Sequence, residues 1–521
     1  MRYLGFCISL LLVPGFALSQ DSVMLRFGNT VNRDDLKRHL SVLASDEYEG
    51  RETGMKGQQM AAKYIENEFR VNGLMGVVNG AYQQEFPILM EKAGSSGLNL
   101  AGKAFQFISD FFYVGNYKEG KIENSEIVFV GYGIEADNYN DYKGVDVNGK
   151  IVAYLDGVPK DKKGAEFIKG ENSTAWGIDR TKKIKLAQEK GAVGILVVTA
   201  DYEKKVAQYK SFIMNTKVRL NKPVEGDKKV GLPTFYISEA VADNFLMINK
   251  LSVKKAKEKI GKTRKPLMAV VPVRVELDIK KDVKEGSSTN VLGYVEGSDL
   301  KDELVVISAH YDHIGMNGTK IFNGADDDGS GTVAVIELAQ AFALAKEQGK
   351  GPRRSLLFIT VSGEEKGLLG SEYYTDYPIF PLKNTVCDLN IDMIGRQDKK
   401  YENNPNYVYV IGSDKLSTEL HNINEDMNGR FGKLTLDYTY NAPTDPNRYY
   451  YRSDHYNFAK NNIPVIFYFN GTHEDYHQET DEVEKINFDK MEKITRLVFY
   501  TAWNVANRNE RLKVDKVNDF K

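Results

Sequence analysis

Between Val305 and Gly331 the chain reads VVISAHYDHIGMNGTKIFNGADDDGSG. An apolar run ends in His310 and Asp312, and three acids, Asp326, Asp327 and Asp328, follow between glycines. A histidine with carboxylates at the mouth of a strand is the donor set that a divalent cation such as zinc takes from a protein. Two further apolar runs end similarly, LLFITVSG before Glu364 and Glu365, and VCDLNI before Asp392. A fourth segment, DYHQETD from Asp475 to Asp481, adds His477. Any one acid at a strand end could be only a cap, but four such fragments in order form a constellation.

The elements that must position these groups are legible in the pattern of apolar residues. After residue 285, near-continuous apolar strands (ELVVISAH, SLLFITVS, TVCDLNIDMIG, YVYVIGS, IPVIFYFNG) alternate with helical stretches. The helices are GTVAVIELAQAFALAKEQ, a segment near 415–430, and a last one from about 485 to 507. That alternation predicts an α/β architecture with a mostly parallel sheet covered on both faces. Ligands of such sheets gather at the carboxyl ends of the strands, where His310, Glu364, Glu365 and Asp392 all fall.

Upstream, Asn32 to Ser45 carries leucines at 36, 40 and 43, and Gln58 to Phe69 places Ala62, Ile65 and Phe69 on one face. Two amphipathic helices are expected there. From about residue 125 the texture changes to short apolar runs, EIVFVGYGI, KIVAYLDGV, AVGILVVTA and LPTFYIS, with RTKKIKLAQEKGA as a helix before the third. This reads as a compact β-rich module with little titratable chemistry in its strands. The basic stretch from Lys250 to Lys265 reads as a solvated helix and linker.

With 521 residues, 42% hydrophobic and 27% charged, the chain is long enough for at least two domains of ordinary globular composition. A net charge of -2 without a basic block gives nucleic-acid binding no electrostatic support. Residues 1–19 read as a secretory signal peptide: Arg2, a short apolar core, then Ala17-Leu18-Ser19 before the cut. No later segment is apolar enough to cross a bilayer, and only Cys387 remains after cleavage, so no internal disulfide is expected. An exported protein, periplasmic or secreted, fits these features.

The ordered series HYD, GADDDGSG, GEE, DMIGR and YHxxxD resembles the co-catalytic dizinc exopeptidase family, which includes bacterial secreted aminopeptidases and glutamate carboxypeptidases. The match covers residues 285–507, and the helices near 33–72 resemble the family's N-terminal segment. FVGYGI, VNGKIVAYLDG and EKGAVGILVV resemble the protease-associated domain often inserted in these enzymes. The resemblance implies a zinc-exopeptidase, phosphorylase/hydrolase-like fold: a mostly parallel, mixed sheet sandwiched by helices, with an inserted β-rich domain. The expected divisions are an N-terminal helical segment over 20–119, the protease-associated insert over 120–265 and the dizinc peptidase domain over 266–521.

Position by position, the resemblance implies two zinc ions per chain. Asp327 would bridge them, His310 and Asp392 would complete one site, and Glu365 and His477 the other. Glu364 would be the general base, and the carboxylate of Asp312 would accept a hydrogen bond from the far nitrogen of His310. Two zincs about 3.5–4 Å apart need a bridging carboxylate to screen their repulsion. A cis peptide is expected between Asp327 and Asp328, with Asp328 structural. Arg452 and Tyr476 are candidates for substrate contact, as a cation and a phenol able to stabilise an oxyanion. The tyrosine-rich loop from Asp437 to Tyr451 could wall a side-chain pocket or simply pack. His313, His455 and the Ser453–Asp454 pair sit near the motifs and read as hydrogen-bonded side chains rather than ligands.

The implied activity is peptide-bond hydrolysis at chain ends, most simply from the amino terminus. Carboxypeptidase and glutaminyl cyclase activity stay open within the fold, and a binding protein without turnover stays open outside it; an intact Glu364 argues against the last. His473 to His477 reads HEDYH and matches the HExxH signature of the zincin metalloproteases. That signature works only on a helix, and here it follows a strand and turn, so His473 and Glu474 are not expected to be ligands.

Overall fold

The computed structural model describes residues 13–115, 117–168, 175–222 and 231–519. Of the expected leader, residues 1–12 lie outside the described residues; from Val13 the chain is helical to Gly28. Among the described residues no helix is long and apolar enough to cross a membrane.

The chain divides into two compact units, one of 1–89, 218–221 and 285–521, the other of 90–217 and 222–284. The divisions therefore fall near 89 and 284 rather than at 119 and 265. The segment 20–119 is also not helical throughout. Helices Arg33–Leu43 and Lys56–Val71 form as expected, but Gln83–Ala93 and Phe111–Tyr113 are strands. The alternating burial of Phe86, Ile88 and Met90 in the first of these is a strand signal that the apolar Pro87 and Leu89 between them mask.

In the first unit Asn32 caps its helix by accepting from the N–H groups of Asp34 and Asp35, and Leu36, Leu40 and Leu43 are buried along one face. Ala62, Ile65 and Phe69 do the same in the next helix. The central sheet has nine strands. Its middle is four adjacent parallel strands in the order Arg354–Val361, Leu300–His310, Thr385–Ile391, Val465–Phe469. Strand Lys281–Val295 joins one side antiparallel and Tyr407–Ile411 the other, which makes the sheet mixed. All residues of the first and third of these four strands are buried, the composition of a sheet covered on both faces. Helices Gly331–Glu347 and Phe488–Asn507 supply much of the apolar cover, through Val333, Ile336, Phe342, Ile494, Val498 and Phe499.

The second unit holds a six-stranded sheet that includes Ile127–Val130, Ile151–Leu155, Gly194–Thr199 and Thr234–Ser238, the four runs read from the sequence. Their pairing is parallel, and helices Arg180–Glu189, Tyr202–Met214, Glu239–Leu246 and Val253–Thr263 accompany them. This unit is therefore α/β rather than simply β-rich. Parallel strands need crossovers; helix Arg180–Glu189 lies between the second and third runs and Tyr202–Met214 between the third and fourth.

Candidate metal centre

Each of the four parallel strands delivers at least one group to a single edge. His310 closes its strand, Asp392 follows Ile391 directly, Glu364 and Glu365 lie just past Val361, and His477 lies beyond Phe469. Asp327 comes from the turn Ala325–Ser330 that opens the buried helix Gly331–Glu347. The peptide between Asp327 and Asp328 is cis.

Asp327 stands between two donor sets. Its Oδ1 is 3.4 Å from His310 Nε2, and its Oδ2 is 3.1 Å from His477 Nε2. His310 Nε2 is also 3.7 Å from Asp392 Oδ1 and 3.9 Å from Glu364 Oε2. On the other side, Glu365 Oε1 is 3.3 Å from His477 Nε2. The five expected ligands thus come together. Two further side chains join them: Glu364 groups with His310 and Asp392, and His313 groups with Asp327 and Glu365.

His310 Nε2, Asp327 Oδ2 and Glu365 Oε1 are buried and form no directed hydrogen bond, although polar neighbours lie within 4 Å of each. Buried polar atoms are nearly always partnered. Lone pairs that converge without donors between them are what a cation site offers. Imidazole nitrogens and carboxylate oxygens in this number fit zinc.

Burial would raise the Asp327 carboxyl, but the neighbouring imidazoles of His310, His477 and His313 hold it well below the usual range. Burial pushes the Glu364 carboxyl well above its ordinary value; the charges of Glu365 and Asp392 add to this and His310 opposes it. A carboxylate with that proton affinity suits a proton acceptor.

The supporting contacts are mostly non-local. Asp328 accepts N–H bonds from His310 (3.2 Å), Met393 (3.0 Å) and Gly331 (2.8 Å), tying two strand ends to the helix start, the structural part expected of it. Asp481 accepts the N–H groups of Asp326 and Asp327 at 3.0 and 3.1 Å. Ser453 Oγ donates to Asp392 Oδ2 at 2.7 Å. Arg51 is fully buried and donates to the carbonyls of Leu43, Tyr311, Asn323 and Gly324, pinning the loops beside the site. Asp312 departs from the expected contact. His310 Nδ1 lies 3.1 Å from the Asp312 backbone carbonyl and 3.8 Å from its carboxylate. The carboxylate instead accepts from Thr53 Oγ1 at 2.7 Å and from the Glu364 N–H at 3.2 Å.

The HEDYH segment is a turn, with His477 at φ 59°. His473 Nε2 lies 3.2 Å from Asp326 Oδ2, away from the donor sets, and the Glu474 side chain is 83% exposed. Arg452 and Tyr476 line a cleft of about 350 Å³ together with His310, Asp327, Glu364 and Asp392. Arg452 stacks over the Tyr449 ring at 4.9 Å, and its Nη2 is 3.5 Å from the Tyr476 hydroxyl. Of the tyrosine-rich loop, Tyr449 reaches this cleft, whereas Tyr440 packs on Tyr409 and Tyr438 bonds Glu425. His455 is buried against Phe467 and Tyr450, away from the donor sets.

Sequence reasoning missed Arg51, Thr53 and the part of Asp481. The first two sit in a glycine- and charge-rich loop that looks solvated. Asp481 had a signal, its place in YHxxxD. His313 had one too, three residues past His310, but a lone histidine there reads equally as packing.

Residues 290–502 match the sequence profile of Peptidase family M28. Aminopeptidase YwaD of Bacillus subtilis (strain 168) is 25% identical over 238 residues, 44% of this chain and 47% of that protein. Leucine aminopeptidase 1 of Sclerotinia sclerotiorum is 30% identical over 216 residues, 40% of this chain and 53% of that one. The chain spans about half the length of these curated relatives. Among solved structures, the aminopeptidase from Aneurinibacillus sp. strain AM-1 has a TM-score of 0.53 at 18% identity, covering 95% of this chain and 98% of that one. At that identity the likeness is one of fold.

Proposed function

Because residues 290–502 match Peptidase family M28, we propose that the chain belongs to that family and is a zinc-dependent exopeptidase that releases residues from the amino ends of peptides. The observation that carries this is Asp327, whose two carboxylate oxygens face separate histidines, His310 at 3.4 Å and His477 at 3.1 Å. In this reading Asp327 is shared, His310 and Asp392 hold one zinc, and Glu365 and His477 hold the second. Bound zinc ions would polarise the scissile carbonyl and acidify the attacking water. Glu364, in the same cleft, accepts the proton of that water and passes it to the leaving amine. Tyr476 and Arg452 stand where a phenol and a cation can face the developing oxyanion. The acids around the donor sets receive the free α-ammonium of the substrate.

Arg452 supports a second reading. It is a cation lining the cleft, and it could instead anchor a terminal carboxylate, which would make the enzyme a carboxypeptidase. One screen separates the two: peptides with free or acetylated amino ends, each with a free or amidated carboxyl end. Aminopeptidase action is abolished by acetylation and indifferent to amidation; carboxypeptidase action shows the reverse. No cleavage of any of the four by zinc-loaded protein would sink both readings and favour a binding protein.

We further propose that residues 1–19 direct export, to the periplasm or beyond, and that the unit of 90–217 and 222–284 is a protease-associated domain that shapes access to the peptidase unit. Among the described residues, its strands hold none of the grouped His, Cys, Asp and Glu side chains that could hold a metal ion.

A further inference from the structure

His313 is fully buried, and neither ring nitrogen forms a directed hydrogen bond. Its backbone N–H donates to the Arg51 carbonyl at 3.2 Å, which fixes where the side chain starts. The ring lies against Gly324, where a Cβ would stand 2.5 Å from ring carbons Cδ2 and Cγ, so the ring has its place only because residue 324 lacks a side chain. Held there, Nδ1 is 2.9 Å from Glu365 Oε1 and 3.8 Å from Asp327 Oδ2.

Those are the same two oxygens that His477 Nε2 approaches, at 3.3 and 3.1 Å. Each of the two imidazoles therefore approaches the same pair of carboxylate oxygens. In a tetrahedral zinc site with donors about 2.0–2.1 Å from the ion, neighbouring donors are separated by about 3.3–3.4 Å. The four nitrogen–oxygen separations, 2.9, 3.8, 3.3 and 3.1 Å, bracket that edge length and average close to it. A simple hydrogen bond from His313 to Glu365 would satisfy the 2.9 Å distance, but the N–H does not point at the oxygen.

Resting on the dizinc reading above, we propose that His313 is a fourth protein donor at the Glu365–His477 metal position. The two positions are then unequal. One is closed by Asp327, Glu365, His477 and His313, the pattern of tightly held zinc; the other, with Asp327, His310 and Asp392, keeps an open coordination position. Glu364 lies 3.9 Å from His310 of that second set, where it would face a water or substrate held there. Substrate exchange would then occur at one metal while the other stays fixed.

The test is zinc K-edge absorption on the zinc-loaded wild-type chain, with stepwise chelator competition on wild type and His313→Asn. Three histidines over two ions predict about 1.5 imidazoles per zinc, against one per zinc if only His310 and His477 ligate. His313→Asn should lower the count to about one. It should also weaken retention of one zinc by more than ~100-fold, beyond the 10–100-fold typical when only a partner of a ligand is removed. A wild-type count of one imidazole per zinc overturns the inference even if His313→Asn folds badly, and so does a variant that keeps both ions within ~10-fold. In either case two bound zincs leave the dizinc reading standing. A wild-type chain that cannot hold two zincs overturns that reading itself.

Discussion

Asp481 reaches back across the chain to accept the backbone N–H of Asp327, Oδ2 to N at 3.1 Å, and the same oxygen accepts the N–H of Asp326 at 3.0 Å. The acid that stands between the two donor sets is thus held by its own backbone, through a second acid that touches neither histidine of those sets. Burial first, and then the charge of Asp326, push the Asp481 carboxyl up to about 6.

Asp481→Ala leaves two buried N–H groups without an acceptor. Each such loss costs about 1–3 kcal/mol. The expected outcome is a melting temperature lowered by several degrees and weaker zinc retention, with Asp481→Asn closer to wild type. Thermal melts on zinc-loaded and zinc-free protein check it; an Asp481→Ala variant that melts like wild type in both states would show that Asp327 is held some other way.

Glu364→Gln should keep zinc and lose ~100-fold or more in turnover, since a positioned base contributes on that order. Glu474→Gln, exposed and 3.5 Å from Arg396, should be nearly silent. Metal analysis and peptide turnover on both variants decide this. If the two phenotypes are exchanged, the HExxH segment is the working motif after all.

Asp312→Asn should be mild. The backbone carbonyl of residue 312, not its carboxylate, faces His310 Nδ1, and an amide can still satisfy Thr53. Turnover is expected within ~10-fold of wild type, at the low end of losses for groups behind a metal ligand. Asp312→Ala also removes the acceptor for the Glu364 N–H and should lose more. Equal losses in the two variants would return the carboxylate to the role of orienting His310.

Stability should fall on acidification below neutral pH. Burial lowers the His455 imidazole to about 3 and the His39 imidazole to about 4, from 6.5. The unfolded chain therefore takes up these protons first, as pH drops through 6.5, while the folded chain resists. Their contribution is complete above pH 6.5 and is lost as pH falls toward the folded values. His455 stacks on Phe467 at 4.8 Å, so His455→Phe suits its surroundings and should flatten the acid limb. Melting temperatures between pH 7 and 4.5 test this; an unchanged slope in the variant would assign the acid sensitivity to other groups.

Which groups arrive at the site is legible in the apolar pattern of the chain, because strand endings are local. Apolar runs of strand length must be buried, and in an alternating α/β pattern their carboxyl ends share one edge, so the pattern alone brings His310, Glu364, Glu365 and Asp392 together. The HEDYH segment follows a strand and turn where the motif needs a helix, and in the fold it is a turn. Only the tertiary structure decided what surrounds those groups. Whether His313 faces a void, a carboxylate or solvent depends on Gly324 and Glu365 folding against it. Whether Asp312 acts through its carboxylate or its carbonyl depends on Thr53, and the hold on Asp327 on Asp481, 259 and 154 residues away in the chain. The division near residue 89 was hidden for the same reason: a strand reveals itself by its partners, and those of Gln83–Ala93 come from distant parts of the chain. Periodicity fixes faces and ends of elements; the pairing of polar groups across hundreds of residues is fixed only when those faces meet.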